Sequence, residues 1–391
     1  MMNRIMALIA ALAISCFGSL VFAAHEIVDV DKPAPTGTLQ VYGAAKLSID
    51  LIDTGSKTTG ADKNLNKVSS NSSRLGFKGS EDLNDGLTAV YQLELGFNMD
   101  GTTSSVATKV TNTTTGAVDT TSVNTISLRN SYVGLKHNAV GTVLLGTHDT
   151  PYKISTGQFD PFGDSMGDYN AIIGNVNGDA NFDLRPKDVV AYVSPSWGGL
   201  QVSLAKVQTG QETNNGTTPN SNAYSASALY NAGPLAVALA YEVHKNGVVS
   251  GWDSTGKMKN TGTKAGAGYT IGSTKIGLVY EAIKDENPDS AITRNALYAS
   301  VAQKIGKETI KLAYGKANDG DNPATKTGAT MMAAGVDHAF SKRTTVYVLY
   351  AATKNDENAT YGLGQSGAGG AYKPGAGEDP SVFSFGINYT F

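Results

Sequence analysis

The feature that most constrains this chain is a period-two alternation of apolar with polar or small residues, repeated in segment after segment from Gly37 to Phe391. Leu39, Val41, Gly43, Ala45, Leu47, Ile49 and Leu51 interleave with Gln40, Tyr42, Ala44, Lys46, Ser48 and Asp50. Such alternation puts one set on each face of a β-strand. It returns in Leu87, Ala89, Tyr91, Leu93, Leu95 and Phe97, then in Leu235, Val237, Leu239, Tyr241 and Val243. Ile276, Leu278 and Tyr280 repeat it, as do Ile310, Leu312 and Tyr314. The last segment is the clearest: Phe383, Phe385, Ile387, Tyr389 and Phe391 alternate with Ser384, Gly386, Asn388 and Thr390. A convincing helical period is found nowhere along the chain.

The connections between these segments alternate in length. Short ones fall at Glu81–Asp85, His137–Gly141, Pro195–Gly199, Asn231–Pro234, Ile271–Thr274, Ile305–Glu308 and Phe340–Arg343. Longer polar stretches lie between them, among them Asp53–Asn66, Asn98–Ser122, Thr147–Pro186 and the Gly-rich Lys354–Pro380. Eight long loops and seven short turns imply sixteen strands, with fourteen or eighteen also compatible with the pattern. A soluble β-sandwich has period-two strands too, but its domains hold about 100 residues and would not carry this rhythm so far. Short turns on one side and long loops on the other are the pattern of outer-membrane strands. The expected fold is therefore all-β: a transmembrane antiparallel β-barrel of about sixteen strands, spanning residues 38–391.

Composition agrees. A helical membrane protein of 391 residues would show several apolar runs of about 20 residues, and only one such run exists, at the N-terminus. A barrel escapes that test because its lipid-facing and lumen-facing residues average out, which fits a slightly polar mean hydropathy. The net charge of −3 argues against a nucleic-acid partner.

The single apolar run reads as a secretory signal over residues 1–23. Arg4 supplies the positive start, Ile5–Leu20 the apolar stretch, and Val21-Phe22-Ala23 the small residues before the cut. Ser15, Gly18 and Ser19 weaken the alternative of a retained anchor helix. Cys16 lacks the Leu three residues before it that a lipid attachment site would carry. Cleavage after Ala23 leaves no cysteine, hence neither disulfides nor thiolate metal sites. Residues 24–37 read as a polar lead segment on the periplasmic side.

No enzymatic or metal motif stands up. Gly362-Leu363-Gly364-Gln365-Ser366-Gly367 has dinucleotide-loop spacing but sits outside any strand–helix unit. The five histidines form no ligand spacing. The chain is read as a non-enzyme that needs neither cofactor nor metal.

Several motifs run in order along nearly the whole mature chain. Ser73-Arg74-Leu75-Gly76-Phe77-Lys78-Gly79-Ser80-Glu81-Asp82-Leu83 leads into Gly86-Leu87-Thr88-Ala89-Val90-Tyr91. Arg129-Asn130-Ser131-Tyr132-Val133-Gly134-Leu135 follows, then Arg185 to Tyr192 and Gly198-Gly199-Leu200. Gly335-Val336-Asp337-His338-Ala339-Phe340-Ser341-Lys342-Arg343-Thr344 and the terminal Phe391 complete the set. Together these resemble the general, trimeric porins of Gram-negative bacteria.

The resemblance implies an outer-membrane diffusion channel whose third external loop, here residues 147–186, folds into the lumen and narrows it. Its acids would face a ladder of basic residues on the opposite wall. By motif position the ladder is Arg74, Arg129 and Arg185, with Lys46 as a weaker member two positions from the family's lysine. The parity of Arg74 opposes that of Leu75 and Phe77, which favours the lumen, since a lipid-facing arginine at the midplane costs about 2–4 kcal/mol. The family's Pro-Glu-Phe-Gly-Gly-like turn appears here as Asp160-Pro161-Phe162-Gly163-Asp164 without its Glu, so Asp160, Asp164 and Asp168 are the candidate loop acids. The alternative for each is a solvated turn aspartate. The resemblance also implies a homotrimer, contact with outer-membrane lipid and lipopolysaccharide, and a terminal strand, with Tyr389 and Phe391, read by the barrel-assembly machinery.

Three functions fit such a barrel: passive passage of small hydrophilic solutes and ions, a substrate-specific channel, and a non-conducting adhesin or structural barrel. Tyr42 is one lumen-parity aromatic, and no regular aromatic track accompanies it. The passive channel is the leading expectation.

Overall fold

The computed structural model describes residues 37–58, 63–101, 108–111, 118–121, 126–178, 182–209, 221–245, 259–285, 293–320, 326–364 and 371–391. The expected signal peptide and all but the last residue of the lead segment lie outside them. Sixteen antiparallel strands form one closed sheet. In chain order they are β1 (Gly37–Asp53), β2 (Asn64–Ser70 and Arg74–Asp82), β3 (Leu87–Gly96) and β4 (Ser127–Leu128 and Ser131–His137). Then come β5 (Gly141–Thr147), β6 (Val189–Val193), β7 (Leu200–Thr209), β8 (Ser221–Ala232), β9 (Leu235–Lys245) and β10 (Lys259–Ile271). The ring ends with β11 (Thr274–Asp285), β12 (Arg294–Ile305), β13 (Glu308–Ala317), β14 (Ala329–Ala339), β15 (Thr344–Asn355) and β16 (Ser381–Thr390). A separate two-stranded hairpin, Thr108–Thr111 with Val118–Thr121, lies in the long connection between β3 and β4.

The ring closes where β1 meets β16, in a register running from Ala44↔Thr390 to Asp53↔Ser381. Gly43 and Phe391 exchange backbone hydrogen bonds of 3.0 and 3.1 Å. A Cβ on Gly43 would lie 2.4 Å from the Phe391 ring and 2.8 Å from the Arg74 carbonyl, so only glycine lets that ring close over the strand. Closure leaves no unpaired sheet edge, as a lipid environment demands.

The two faces invert those of a soluble protein. Leu39, Ile49, Leu239, Leu278, Leu312, Val348, Phe383 and Phe385 are exposed on the outside, while Ser48, Asp50, Glu242, Glu281, Arg294 and Ser384 are buried within. The period-two pattern thus maps directly onto outside and inside, because successive side chains point to opposite faces of the sheet.

The connection between β5 and β6 does not project outward. It enters as helix α1 (Pro151–Ser155), capped where Thr150 Oγ1 accepts the Lys153 amide at 3.2 Å, and continues through 3₁₀ turns at Gly157–Phe159 and Tyr169–Ala171. Phe159, Phe162, Met166, Ile172 and Ile173 are buried against Ala238, Val279, Ala296, Ala313 and Ala333, small or branched inward-facing residues of β9 and β11 to β14. Those strands lie across the ring from β5, so the segment lies inside the barrel. The small wall residues make room for it. A Cβ on Gly266, Gly268 or Gly277 would come within 2.8 Å of Phe159. The connection after β15 also turns inward: Tyr361 and Leu363 are buried, Thr360 N donates to Asn177 Oδ1 at 3.0 Å, and Gly364 N donates to Met166 O at 3.0 Å.

Candidate functional site

Two irregularities of the sheet position two of the three arginines singled out from the sequence, Arg74 and Arg129. Along β1 and β2, Leu47 faces Ser70 whereas Ala44 faces Arg74, so β2 carries one extra residue. At this bulge Ser72 has φ 60°, and the Ser73 hydroxyl accepts from Lys46 N at 3.0 Å and donates to Lys46 O at 3.1 Å, beside the backbone bond from Asn71 N to Lys46 O at 2.9 Å. Along β3 and β4, Leu95 faces Leu128 whereas Gln92 faces Tyr132, again one extra residue, at Arg129-Asn130. Here Ser131 Oγ accepts the Glu94 amide at 3.0 Å. Bulges bend a strand locally and re-aim its side chains, and each of these two delivers an arginine to the lumen.

The three arginines border a cleft of about 450 Å³ between this wall and the inward segment. Asp164, on that segment, is the loop acid that meets Lys46 and Arg74. Its Oδ2 lies 2.8 Å from Lys46 Nζ and 3.2 Å from Arg74 NH1. Asp164 itself adopts φ 59°, an uncommon value for a residue with a side chain. Burial pushes its carboxyl up, but Lys46 and Arg74 pull it further down, to about 2.

Arg129 and Arg185 have different partners. Arg129 Nε lies 2.7 Å from Glu94 Oε1 on the neighbouring strand, and Tyr42 donates its hydroxyl to Glu94 Oε2 at 2.9 Å. Arg185 Nε lies 3.0 Å from Asp149 Oδ1, at the root of the inward segment. Asp149 also accepts from Asn130 Nδ2 at 2.9 Å and pairs with Lys153 at 3.2 Å. Lys153 in turn reaches Asp183 at 3.1 Å. Burial would raise the Asp149 carboxyl, yet Lys153 and Arg185 hold it below the usual carboxylate range. Burial likewise works against the Lys153 ammonium, and Asp183 and Asp149 lift it above the usual lysine value.

The other two candidate acids line the same cleft but form no ion pair with the arginines among the described residues. Asp160 accepts from Tyr298 Oη at 2.6 Å, Phe162 N at 2.9 Å and Tyr169 N at 3.1 Å, which fastens the segment to β12. Asp168 accepts from Asp164 N at 2.9 Å and Asn170 N at 2.8 Å, capping the second 3₁₀ turn and bracing the Asp164 turn. Asp160 and Asp168 thus share the cleft with the arginines, while backbone amides and a tyrosine, not the arginines, donate to their oxygens. Burial pushes the Asp160 carboxyl up, and burial together with the Asp160 charge pushes that of Asp168 well above the usual range. Glu94, Lys153 and Asn130 were not foreseen. Glu94 was legible only as an inward-parity carboxylate, and nothing local marked its pairing with Arg129.

A buried polar cluster holds the far side of the segment. Glu281 accepts from Gly174 N at 2.8 Å and Tyr152 Oη at 2.8 Å, and pairs with Arg294 at 2.8 Å and Lys264 at 3.8 Å. Arg294 also donates to the Ile172 carbonyl at 2.9 Å and to that of Asn175. Carbonyls and amides of an irregular segment need such partners when they leave water. The segment is thus clamped on one wall and reaches with Asp164 to the other.

The profile of a family described as Gram-negative porin matches residues 7–358. The chain is 28% identical over 338 residues to outer membrane porin protein 32 of Delftia acidovorans, covering 84% of this chain and 87% of that one. Its fold is similar to that of the anion-selective porin from Comamonas acidovorans, with a TM-score of 0.71 at 23% identity over 91% of this chain and all of the other. It is also similar to the trimer form of OmpT of Vibrio cholerae, with a TM-score of 0.61 at 19% identity over 91% of this chain and 100% of that one.

Proposed function

The chain belongs to the Gram-negative porin family, a non-enzymatic outer-membrane channel, and from that premise we propose that the segment from Thr147 to Pro186 forms the constriction of its pore. The observation that carries this reading is the Asp164 bridge: one carboxylate of the inward segment meets Lys46 and Arg74 of the opposite wall. The opening left beside the bridge is the cleft edged by Arg129, Glu94, Arg185 and Asp149. Every solute crossing it passes fixed charges of both signs set in walls of low dielectric, where they act strongly at short range. Ion pairing keeps these side chains extended and in place without filling the passage. Small hydrophilic solutes and ions cross passively.

A homotrimer is part of the same proposal, as is use of the β16 terminus in assembly. Tyr389 and Phe391 stand on the outer face at the closing seam, where an assembly factor could read them. Purified, folded protein in a planar lipid bilayer should give discrete, ohmic single-channel steps in potassium chloride. Folded protein that inserts without conductance would sink the channel reading in favour of an adhesin or structural barrel. Saturable block by one sugar would favour a substrate-specific channel.

A further inference from the structure

We propose a second, separate binding station on the periplasmic side of the inward segment, built for a compact doubly charged oxyanion. It is a cleft of about 510 Å³ roofed by Gln158, Phe159 and Pro161 and walled by the turn-proximal ends of β10 to β14. The Arg74–Asp164 cleft lies on the other face of the segment, and the two share only Asp160 among their linings.

The wall is basic. Lys275 on β11 faces Ala302 on β12, which faces Lys311 on β13, so the two lysines stand in one row across three strands. Adjacent strands are about 4.8 Å apart, which puts these two backbones about 10 Å from one another, within reach of a single small anion for flexible lysine side chains. Lys304 lies two residues along β12 from that row and faces Thr309. All three share the inward parity of Ser300 and Gly277, and all three line the cleft. Lys311 is committed to Asp337 at 2.7 Å, and the Asp160 carboxylate is taken up by three donors. Lys275 and Lys304 form no ion pair among the described residues. The cleft therefore offers two uncommitted ammonium groups, with the hydroxyls of Thr270 and Thr309 beside them as further donors.

The roof is fixed by the fold. Ser300 donates its hydroxyl to the Phe159 carbonyl at 2.6 Å, and Phe159 sits on the glycines of β10 and β11. The cavity height is thus set by a docked turn. Two ammonium groups with neutral hydroxyls beside them match the charge of phosphate, or of a short dicarboxylate of the same charge. A monovalent anion engages one ammonium at a time and gains less.

This inference takes the channel as given, and the test separates the two. Chloride current through single channels is recorded at constant ionic strength while inorganic phosphate is titrated in, with succinate as a second arm. Wild-type protein should show saturable block by phosphate. Lys275→Gln with Lys304→Gln should raise the half-blocking concentration about tenfold or more, because two fixed charges leave the site. Lys275→Arg with Lys304→Arg should retain block, and Arg74→Ala should leave it in place. A conducting wild-type channel without phosphate block overturns the station and leaves the channel standing. Equal block in the Gln double variant, or block lost in Arg74→Ala, also overturns it. Succinate block that follows phosphate through the variants assigns recognition to charge and size; block by phosphate alone assigns it to the tetrahedral oxyanion.

Discussion

The Asp164 carboxylate lies 2.8 Å from the Lys46 ammonium across 118 residues of chain, tying the inward segment to the first strand of the barrel. Arg74 reaches the same oxygen at 3.2 Å. Asp164→Asn should leave both cations without a counter-charge and move ion selectivity toward anions, read as a shift in reversal potential under a salt gradient. An unchanged potential would place Asp164 outside the ion path.

Removing the arginines should move selectivity the other way, and not equally. In Arg74→Ala, Lys46 still balances Asp164. In Arg129→Ala, Glu94 keeps only the Tyr42 hydroxyl, so an uncompensated carboxylate faces the cleft. Both variants should become more cation-selective, with the larger change in Arg129→Ala. The order of the two reversal potentials checks the assignment.

The two kinds of loop acid should respond oppositely to pH. The carboxyl of Asp164 is depressed to about 2. The stability it contributes is present above its unfolded value and is lost only as pH falls through about 2, so its bridge should persist throughout the mildly acidic range. Asp168 is raised well above its ordinary value. Its contribution is fully present below the unfolded value and is lost as pH rises through the raised one. Protection of amides 160–170, corrected for the intrinsic pH dependence of exchange, should therefore rise on acidification, and this response should weaken in Asp168→Asn. Protection that falls on acidification would contradict it.

The clamp on the far wall should matter more to the inward segment than to the barrel. Glu281→Ala strands Arg294 and Lys264 in a buried site, a change that typically costs about 3–5 kcal/mol. The expected result is a barrel that still resists detergent at room temperature, with faster exchange at Gly174 and noisier single-channel current. Equal loss of barrel stability would show that Glu281 serves the wall alone.

At the seam, Gly43→Ala forces a methyl against the Phe391 ring and the Arg74 carbonyl. The yield of heat-modifiable, folded protein should fall sharply. A smaller outer side chain in Phe391→Ala should partly restore it in the double variant by relieving the ring contact.

Much of the barrel was legible in the residues because its physics is local. Phe383, Phe385, Ile387 and Tyr389 alternate for the same reason that they face outward. The pairings at the site were not local. That Asp164 meets Lys46 while Asp160 meets Tyr298 depends on how one turn is folded, and both acids look alike in a string of letters. The bulges at Ser72 and Arg129 were equally hidden, since an extra residue in one strand shows only against the register of its neighbour.

The seam between Gly43 and Phe391 also sets a timetable. The first strand and the last are neighbours in space and nearly as far apart in the described chain as two residues can be, so their pairing has the highest sequence separation in the molecule. Contacts of that kind are slow, because the entropy of bringing distant segments together is spent before any bond rewards it. A ribosome must have released the whole of β16 before the ring can exist. Until then β1 offers an open edge of unpaired amides and carbonyls, a template for any other strand it meets. Unlike a soluble domain, which can begin to fold as it emerges, this protein has to be kept from folding until it is complete.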